Sequence, residues 1–244
     1  FGGSMQTEDP LRAHLERIVG MSLPDYHVFQ RSLSTLTVEP GNLLFNVGTT
    51  DRNFYILIDG IVGVGIPTGT HSEWIRRFVG RGELLSSTPA IAHPVMSPLA
   101  GSLAGIAGAV PSTPPTTTYR ARAISRVRTR MVDARVFWAL AQRHRQWLHL
   151  ALVAAIASSA AQEKRELELL TMTAEERYRA LIEDRPELVG LVPQKDLARY
   201  VGVTPVAMSR IASRIRTGQQ LKANAHLVGD ASSDDQRDAE IDAG

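Results

Sequence analysis

Residues 192–216 read VPQKDLARYVGVTPVAMSRIASRIR, and they have the pattern of two short helices joined by a tight turn. The first helix carries Leu197 and Val201 four residues apart, so both side chains can point inward. Gly202 follows where the chain must reverse, and glycine tolerates the positive φ that suits such a turn. Ala198 precedes this glycine by four residues, where a larger side chain would push the two helices apart.

The second helix of this stretch has start signals of its own. Thr204 can cap the helix, and Pro205 suits its first position because no amide donor is needed there. Met208, Ile211 and Ile215 then form an inward apolar stripe. The spacing is typical of a helix-turn-helix, although any short helical hairpin shares part of the pattern.

The front of the chain instead shows short β-type runs separated by glycine turns. These runs are residues 36–38, 43–45, 54–58, 61–66 and 74–79. Closely spaced strands with turn signals predict a small antiparallel sandwich or roll. The pattern is interrupted at residues 86–118, which are rich in Ala, Gly, Ser and Pro, and residues 99–110 fit either a short helix or a mobile loop.

Residues 119–132 resume the strand pattern with arginines at even positions, which predicts one arginine-lined face of a strand. The five are Arg120, Arg122, Arg126, Arg128 and Arg130. A solvated outer face is one interpretation, and a lining for phosphate or another anion is the other.

A short helix at residues 134–142 is predicted to lead into a long one at residues 146–172. The first half of the long helix is apolar nearly all round, so it must be buried on more than one side. A small roll covers one side only, and a twofold partner helix is the economical way to cover the other. The predicted dimer interface comprises Leu148, Leu152, Ile156 and Ser159. One long helix within a single domain is the alternative.

Capping signals and composition indicate the domain boundaries. Thr173, with Glu176 three residues later, forms a capping box, so a new helix and a second domain begin at residue 173. The predicted parts are an FGGS cloning remnant with an N-terminal helix (1–20), a β-roll (21–145) containing the insertion (86–118), the dimerisation helix (146–172), the second domain (173–228) and an acidic, disordered tail (229–244).

Composition excludes several classes of protein. The chain has 244 residues and no cysteine, which excludes disulfides, thiolate zinc sites and cysteine-ligated iron–sulfur clusters. The net charge of +2 combines −5 in the last sixteen residues with +7 in the rest, a balance that permits a polyanionic partner. The longest apolar run is well short of the ~20 residues that a membrane span needs, so we expect a cytoplasmic protein without a membrane partner.

Several stretches together resemble the Crp/Fnr superfamily of transcription regulators. Residues 192–211 and the preceding AEERYRALI at 174–182 resemble its DNA-binding domain. The Pro-Gly pair at 40–41, FYILIDG at 54–60 and GELL at 82–85 resemble its cyclic-nucleotide-binding β-roll. The resemblance implies an α+β fold in the order antiparallel β-roll, long dimerisation helix and C-terminal winged helix-turn-helix. The wing looks short in this chain.

The resemblance also implies a homodimer that binds a near-palindromic site on double-stranded DNA, with RNA polymerase as a partner at promoters. Arg210 matches the family's base-reading arginine, which pairs with guanine. Pro205 and Val206 stand where the family often has Arg and Glu, which predicts a half-site that keeps one guanine and differs elsewhere. The predicted DNA contacts are Gln194, Thr204, Pro205, Val206, Ala207, Ser209 and Arg210, with Lys195, Arg199 and Arg214 on phosphates.

The expected effector pocket departs from the family pattern. Ser86-Ser87 replaces the Gly-Glu pair that binds ribose, and Pro115-Thr116 stands where Arg-Ser would bind the cyclic phosphate. A register that uses Gly82-Glu83 as the pair supplies no arginine either. Without a guanidinium a buried phosphate lacks its charge-assisted partner, so we predict weak or absent binding of cyclic AMP. The candidate effector residues are Leu85, Ser86, Ser87, Thr116, Thr117, Gln162 and Glu163.

No cofactor is certain, and a small-molecule effector would be of unknown identity. Haem would need an axial ligand such as His14, His27, His71 or His93. A ligand-independent DNA-binding factor, in which the β-roll is only a dimer scaffold, is the main alternative function. A cupin-like enzyme would need clustered His and Glu metal ligands, and the roll has no His-x-His pair, so we expect no catalytic activity.

Overall fold

The computed structural model describes residues 9–69, 73–87, 90 and 116–217, and the chain divides into two units, Phe1–Thr171 and Met172–Gly244. The predicted helix or loop at 99–110, the wing and the acidic tail lie outside the described residues. Within the described ranges, no helix combines the length and apolar character that a membrane span requires.

Two short helices precede the first strand. Helix α1, Pro10–Val19, begins at the N-cap residue Asp9 and ends at Gly20 in the left-handed conformation. Helix α2, Tyr26–Arg31, has no side-chain cap, and both of its aromatic residues are buried. Packing in the core therefore stabilises α2, which explains why the sequence pattern did not predict it.

The strands of the described region form two four-stranded antiparallel sheets. They are β1 Ser34–Val38, β2 Leu43–Phe45, β3 Asn53–Asp59, β4 Val62–Pro67, β5 Glu73–Val79, β6 Leu84–Ser86, β7 Arg120–Ala123 and β8 Val127–Asp133. One sheet has the order β1-β8-β3-β6 and the other has the order β2-β7-β4-β5. The predicted antiparallel sandwich or roll is confirmed.

The prediction of a single arginine-lined strand at residues 119–132 is wrong. The chain leaves one sheet after Ala123 and enters the other at Val127, so β7 and β8 divide the arginines between two sheets. Ile124 occupies an even position like the arginines, yet it is buried. A single strand with a solvated even face would leave Ile124 exposed. Its burial therefore agrees with the change of sheet between Ala123 and Val127.

The two arginines of β7 share one buried carboxylate. Arg120 Nε and Arg122 Nη2 each lie 2.6 Å from an oxygen of Glu73. Gly65 makes room for this group, because a Cβ at Gly65 would stand 2.9 Å from a Glu73 carboxylate oxygen. A buried carboxylate requires charged or hydrogen-bonding partners, so Arg120 and Arg122 act within the roll.

Two hydrophobic cores use opposite faces of the β1-β8-β3-β6 sheet. Tyr55 and Leu57 point into the space between the sheets, whereas Ile56 points to the other side, as alternation along a strand requires. On that other side, Ile56 belongs to the same cluster as the buried Trp138 and Trp147 of the following helices.

Two helices follow the last strand. Helix α3, Ala134–Arg143, leads into helix α4, Arg145–Thr171, which is 27 residues long. Trp147 and Leu150 anchor the start of α4 in the core, and the Trp147 Nε1–H donates to the Pro24 carbonyl at 2.7 Å. The long helix that the sequence pattern predicted is therefore present, with most of its length beyond this anchor.

The second unit is helical throughout its described part. Its helices are α5 Ala174–Asp184, α6 Pro186–Leu191, α7 Gln194–Val201 and α8, residues 205–217. Thr173 and Glu176 form the predicted capping box at the start of α5. The order of sandwich, long helix and C-terminal helices agrees with the expected α+β fold.

Candidate nucleic-acid interface

The turn between α7 and α8 has the conformation that its sequence predicts. Gly202 adopts φ +88°, and its N–H donates to the Ala198 carbonyl at 2.9 Å. The Val203 N–H donates to the same carbonyl at 3.0 Å. Thr204 Oγ1 accepts a hydrogen bond from the Ala207 N–H at 3.2 Å, so Thr204 caps α8. These hydrogen bonds satisfy the Ala198 carbonyl at the end of α7 and the Ala207 N–H at the start of α8, on either side of the short turn.

Apolar side chains close the space between the two helices. Ala198 and Met208 are both 0% exposed. The remaining buried residues of α7 and α8 are Asp196, Leu197, Val201, Ile211, Ala212 and Ile215. Because Ala198 is fully buried, a larger side chain there would have to displace its neighbours, so a small residue favours this close packing of α7 and α8.

The opposite face of α8 is open. Val206 is 64% exposed, and Ser209, Arg210 and Ser213 are exposed with it. Val206, Arg210 and Ser213 follow one another at intervals of four and three residues, which puts them on one helix face. Ser213 was not a predicted contact, although this spacing could have identified it. The predicted contacts at the start of the helix are exposed or half-buried: Thr204, Pro205 and Ala207.

Two of the predicted phosphate contacts are paired with acidic residues of their own unit. Arg199 Nη1 lies 2.8 Å from Asp196 Oδ1, and Asp196 is 1% exposed. Arg214 Nη2 lies 3.3 Å from Glu175 Oε2. Gln194 and Lys195, at the first turn of α7, are exposed. Arg199 and Arg214 thus each have an acidic partner in their own unit, and Arg214 is nonetheless exposed.

A single arginine joins the start of α5 to the turn. The Arg177 Nε–H donates to the Val201 carbonyl at 2.9 Å, and Nη1 donates to the Met172 carbonyl. Val201 ends α7, where carbonyls lack donors within the helix and a cation is favourable. In the capping box beside it, hydrogen bonds from the Thr173 backbone N–H and hydroxyl lower the pKa of Glu176.

Most candidate effector residues of the roll make hydrogen bonds or core contacts within the roll itself. Ser87 Oγ donates to the Asp51 carbonyl, and Thr117 Oγ1 donates to the Thr49 carbonyl at 3.0 Å. The Ser86 carbonyl accepts a hydrogen bond from the Tyr119 hydroxyl at 2.7 Å. Leu85 belongs to the core between the sheets, and Thr116 is exposed. The hydroxyls of Ser87 and Thr117 therefore satisfy backbone groups of the fold.

The two candidate residues on α4 are placed differently from each other. Gln162 lines a cavity of about 330 Å³ between β5 and α4, within the first unit. Its Nε2–H donates to Ser158 Oγ at 3.1 Å. Glu163 is exposed and does not line this cavity.

The predicted dimer residues form an exposed face along α4. Leu148 and Leu152 are each 54% exposed and Ile156 is 59% exposed, with Ser159 exposed beyond them. Leu167 and Leu170 extend the exposed apolar surface toward the end of the helix. Large apolar side chains that stay exposed at helical spacing are typical of an unpartnered interface.

Of the four histidines named as possible haem ligands, His14 and His27 lie in the described residues. His14 Nε2 lies 2.8 Å from the Gly82 carbonyl oxygen, a contact between α1 and the turn before β6. His71 and His93 are outside the described residues. In the ranges that the structure describes, no cluster of His, Asp and Glu has the arrangement of a metal site.

Solved structures of known proteins have the same fold. FixK2 from Bradyrhizobium japonicum superposes with a TM-score of 0.61 at 16% identity, over 77% of this chain and 86% of that one. The c-di-GMP responsive global regulator CLP from Xanthomonas campestris superposes with a TM-score of 0.57 at 13% identity, over 80% and 91% of the two chains. A CooA variant from Carboxydothermus hydrogenoformans superposes with a TM-score of 0.57 at 11% identity, over 83% and 84%.

These proteins are non-enzymatic transcription regulators of the Crp/Fnr type, and the chain has their fold. The resemblance inferred from the stretches between residues 40 and 211 therefore predicted the fold correctly. No protein-family model and no curated protein matches the sequence.

Proposed function

We propose that the chain is a homodimeric, cytoplasmic transcription regulator that binds a near-palindromic DNA site through α7 and α8. The open face of α8 carries this proposal, because Val206, Ser209, Arg210 and Ser213 are exposed on a helix whose opposite face is fully packed. A helix presented in this way fits the major groove of B-DNA. RNA polymerase at promoters is the further partner that we propose.

Dimerisation would use the exposed apolar face of α4. Leu148, Leu152 and Ile156 would pack against the same residues of a second copy, as a twofold interface requires. Two recognition helices related by this twofold axis would contact half-sites centred about one helical turn, ~34 Å, apart. The dimer and the DNA proposals therefore support each other.

Arg210 is the proposed base reader, and the start of α8 is the proposed source of altered specificity. An arginine can pair in bidentate fashion with one guanine. Pro205 and Val206 have no side-chain donor or acceptor, but the exposed Val206 can contact a thymine methyl group. The proposed half-site keeps one guanine and differs from the common family sequence at neighbouring positions.

Cyclic AMP is not the effector that we propose. The position that would bind its phosphate, Pro115-Thr116, offers no guanidinium, and the candidate effector residues Ser87 and Thr117 already donate to backbone carbonyls. Redirecting these two hydroxyls toward a cyclic nucleotide would break those bonds without a charge-assisted contact to replace them. Calorimetry of the chain with cyclic AMP should therefore detect no binding in the micromolar range, and a micromolar affinity would contradict this part of the proposal.

Selection from random-sequence DNA with the full chain tests the proposed function. We expect an enriched near-palindrome with one guanine in each half-site, bound about a thousandfold or more tightly than scrambled DNA at physiological salt. Affinity should fall steeply as salt rises, and sedimentation should show a dimer. Equal binding to scrambled DNA, recovery of the common family half-site at full affinity, or a monomer would contradict the proposal.

A ligand-independent DNA-binding factor is the second candidate function. The internal hydrogen bonds of Ser87 and Thr117 favour it, because they consume groups that a cyclic nucleotide would otherwise contact. DNA affinity measured with and without the small-molecule fraction of a cell extract separates the candidates. An unchanged affinity favours the ligand-independent factor, whereas a changed affinity favours an effector-gated regulator.

A further inference from the structure

The helices α7 and α8 carry more positive than negative charge. Between residues 194 and 217 the sequence has one acidic residue, Asp196, which is 1% exposed and lies 2.8 Å from an Arg199 nitrogen. The same range has five basic residues: Lys195, Arg199, Arg210, Arg214 and Arg216. Because the single acidic side chain is buried and paired, the exposed charge of these two helices is positive.

Helix α8 concentrates this charge on its outward side. Arg210, Arg214 and Arg216 are exposed there, and the sequence of α8 contains no acidic residue. Arg214 lies 3.3 Å from Glu175, but its side chain is 67% exposed, and an ion pair in water exchanges partners at little cost. In the ranges that the structure describes, no salt bridge involves Arg210 or Arg216. An anion that reaches the outward side of α8 therefore meets exposed guanidinium groups.

Residues 229–244, named here the acidic segment, have the opposite charge. Ile241 is their only large apolar residue, so charge is the main means by which this segment can recognise a partner. Six acidic residues and one arginine give it a net charge of −5, and these are Asp230, Asp234, Asp235, Asp238, Glu240, Asp242 and Arg237.

The chain between α8 and the acidic segment is long enough for the two to meet. Eleven residues, 218–228, separate Thr217 from Gly229. Eleven residues span at most ~40 Å, whereas the thirteen residues of α8 form a helix ~20 Å long. Half of the full extension therefore brings the acidic segment to any part of the outward side of α8. Covalent linkage makes the encounter intramolecular, which favours a contact that would be weak between separate molecules.

We propose that the acidic segment binds to the outward side of α8 in the same chain and competes there with other polyanions. Its carboxylates would form charge-assisted hydrogen bonds with Arg210, Arg214 and Arg216. The consequence for DNA rests on the proposed function: DNA must displace the segment before it can contact these arginines. The segment therefore lowers the affinity for every DNA sequence by a similar factor.

Disulfide trapping in the full chain tests the contact without DNA. The chain has no cysteine, so Ser233→Cys in the acidic segment and Ser213→Cys on α8 create one defined pair. The matched control joins Ser233→Cys to Val189→Cys, an exposed position of the same unit that lies two residues from Glu187. With a mild oxidant in dilute buffer, we expect the α8 pair to close about fivefold faster than the control pair. In 1 M salt, where the Debye length is about 3 Å, this preference should disappear.

A neutral version of the acidic segment separates charge from chain geometry. It replaces each of the six acidic residues by its amide and keeps the length of the segment, and it should close the two pairs at the same relative rates as the acidic segment in 1 M salt. Equal rates for both pairs with the acidic segment, or a preference that survives neutralisation, would overturn the proposal. A product of doubled mass would place the segment on a second copy and would contradict the contact within one chain.

DNA binding by the same neutral variant, without the introduced cysteines, measures the competition. At low salt it should bind both selected and scrambled DNA about tenfold more tightly than the unaltered chain, because several weak ion pairs no longer have to be displaced. The two chains should converge at high salt. An acidic segment of the same composition in shuffled order is the control and should bind DNA like the unaltered chain.

The two measurements fail independently of each other. Unchanged DNA affinity of the neutral variant at low salt would exclude the competition. The trapping experiment contains no DNA, so loss of its preference leaves the DNA-binding proposal standing. Failure to select a specific DNA site would contradict the proposed function, and it would leave the trapping result as a direct measure of the contact.

Discussion

The outward face of α8 and the candidate effector positions of the β-roll contain similar polar side chains but use them in opposite ways. Ser209 and Ser213 are exposed beside Arg210, whereas the hydroxyls of Ser87 and Thr117 donate to carbonyls of the roll. A hydroxyl that already satisfies a buried backbone group would cost free energy to redirect toward a ligand. Hydrogen-bond partners within the fold, and not residue type, therefore distinguish the open face of α8 from the closed positions of the roll.

Ala198→Leu should have the largest effect on stability and DNA binding. It changes the packed face between α7 and α8, which holds the open face of α8 in place. Ala198 is 0% exposed, and overpacking of this kind typically costs about 1–3 kcal/mol of unfolding free energy. Urea unfolding of the second unit should show this loss, together with loss of sequence-specific DNA binding. Lys195→Leu adds the same apolar bulk at an exposed position of α7 and should leave the unfolding free energy nearly unchanged. A wild-type midpoint for Ala198→Leu would refute the packing argument.

Arg210→Gln should weaken binding to the selected DNA site about tenfold or more while binding to scrambled DNA changes far less. The physical reason is loss of a bidentate contact to one guanine. Fluorescence anisotropy with both DNA sequences measures the two effects. Arg216→Gln removes the same charge from another exposed position of α8, and it should weaken binding to the selected and the scrambled DNA by similar factors. Equal behaviour of the two variants would mean that Arg210 contacts phosphate only.

Thr117→Val should destabilise the first unit by about 1 kcal/mol, because it removes a buried hydroxyl that donates to the Thr49 carbonyl. Thr116→Val changes an exposed neighbour in the same way and should have little effect on unfolding. Thermal unfolding of both variants checks the difference. If Thr117→Val unfolds like the wild type, the hydroxyl is not a structural group and remains available to a ligand.

Lys195→Gln and Arg214→Gln should give the smallest and most informative difference, in the salt dependence of DNA binding. Loss of one phosphate contact lowers the slope of log affinity against log salt by about one. We expect that change for the exposed Lys195 and a smaller one for Arg214, which is paired with Glu175. Equal changes in slope would show that Arg214 exchanges Glu175 for DNA phosphate.

Much of the fold was predictable because its signals are local. The capping box at Thr173, the left-handed turn at Gly202 and the apolar first half of α4 each depend on residues within one or two turns. The strand runs predicted the roll for the same reason. Helices α2 and α6 were not predicted, because each is only six residues long and depends on packing for stability.

Sequence patterns were sufficient to predict the order of elements, the closely packed helix pair and the outward position of Arg210, because these follow from capping, periodicity and residue size. The packing of the folded chain, in contrast, selected which charges are paired: Glu73 with Arg120 and Arg122, and Glu175 with Arg214. It also decided that Ser87 and Thr117 donate to carbonyls far away in the sequence. Such pairs depend on how separate elements pack, and a buried polar group accepts whichever partner that packing brings within hydrogen-bond distance.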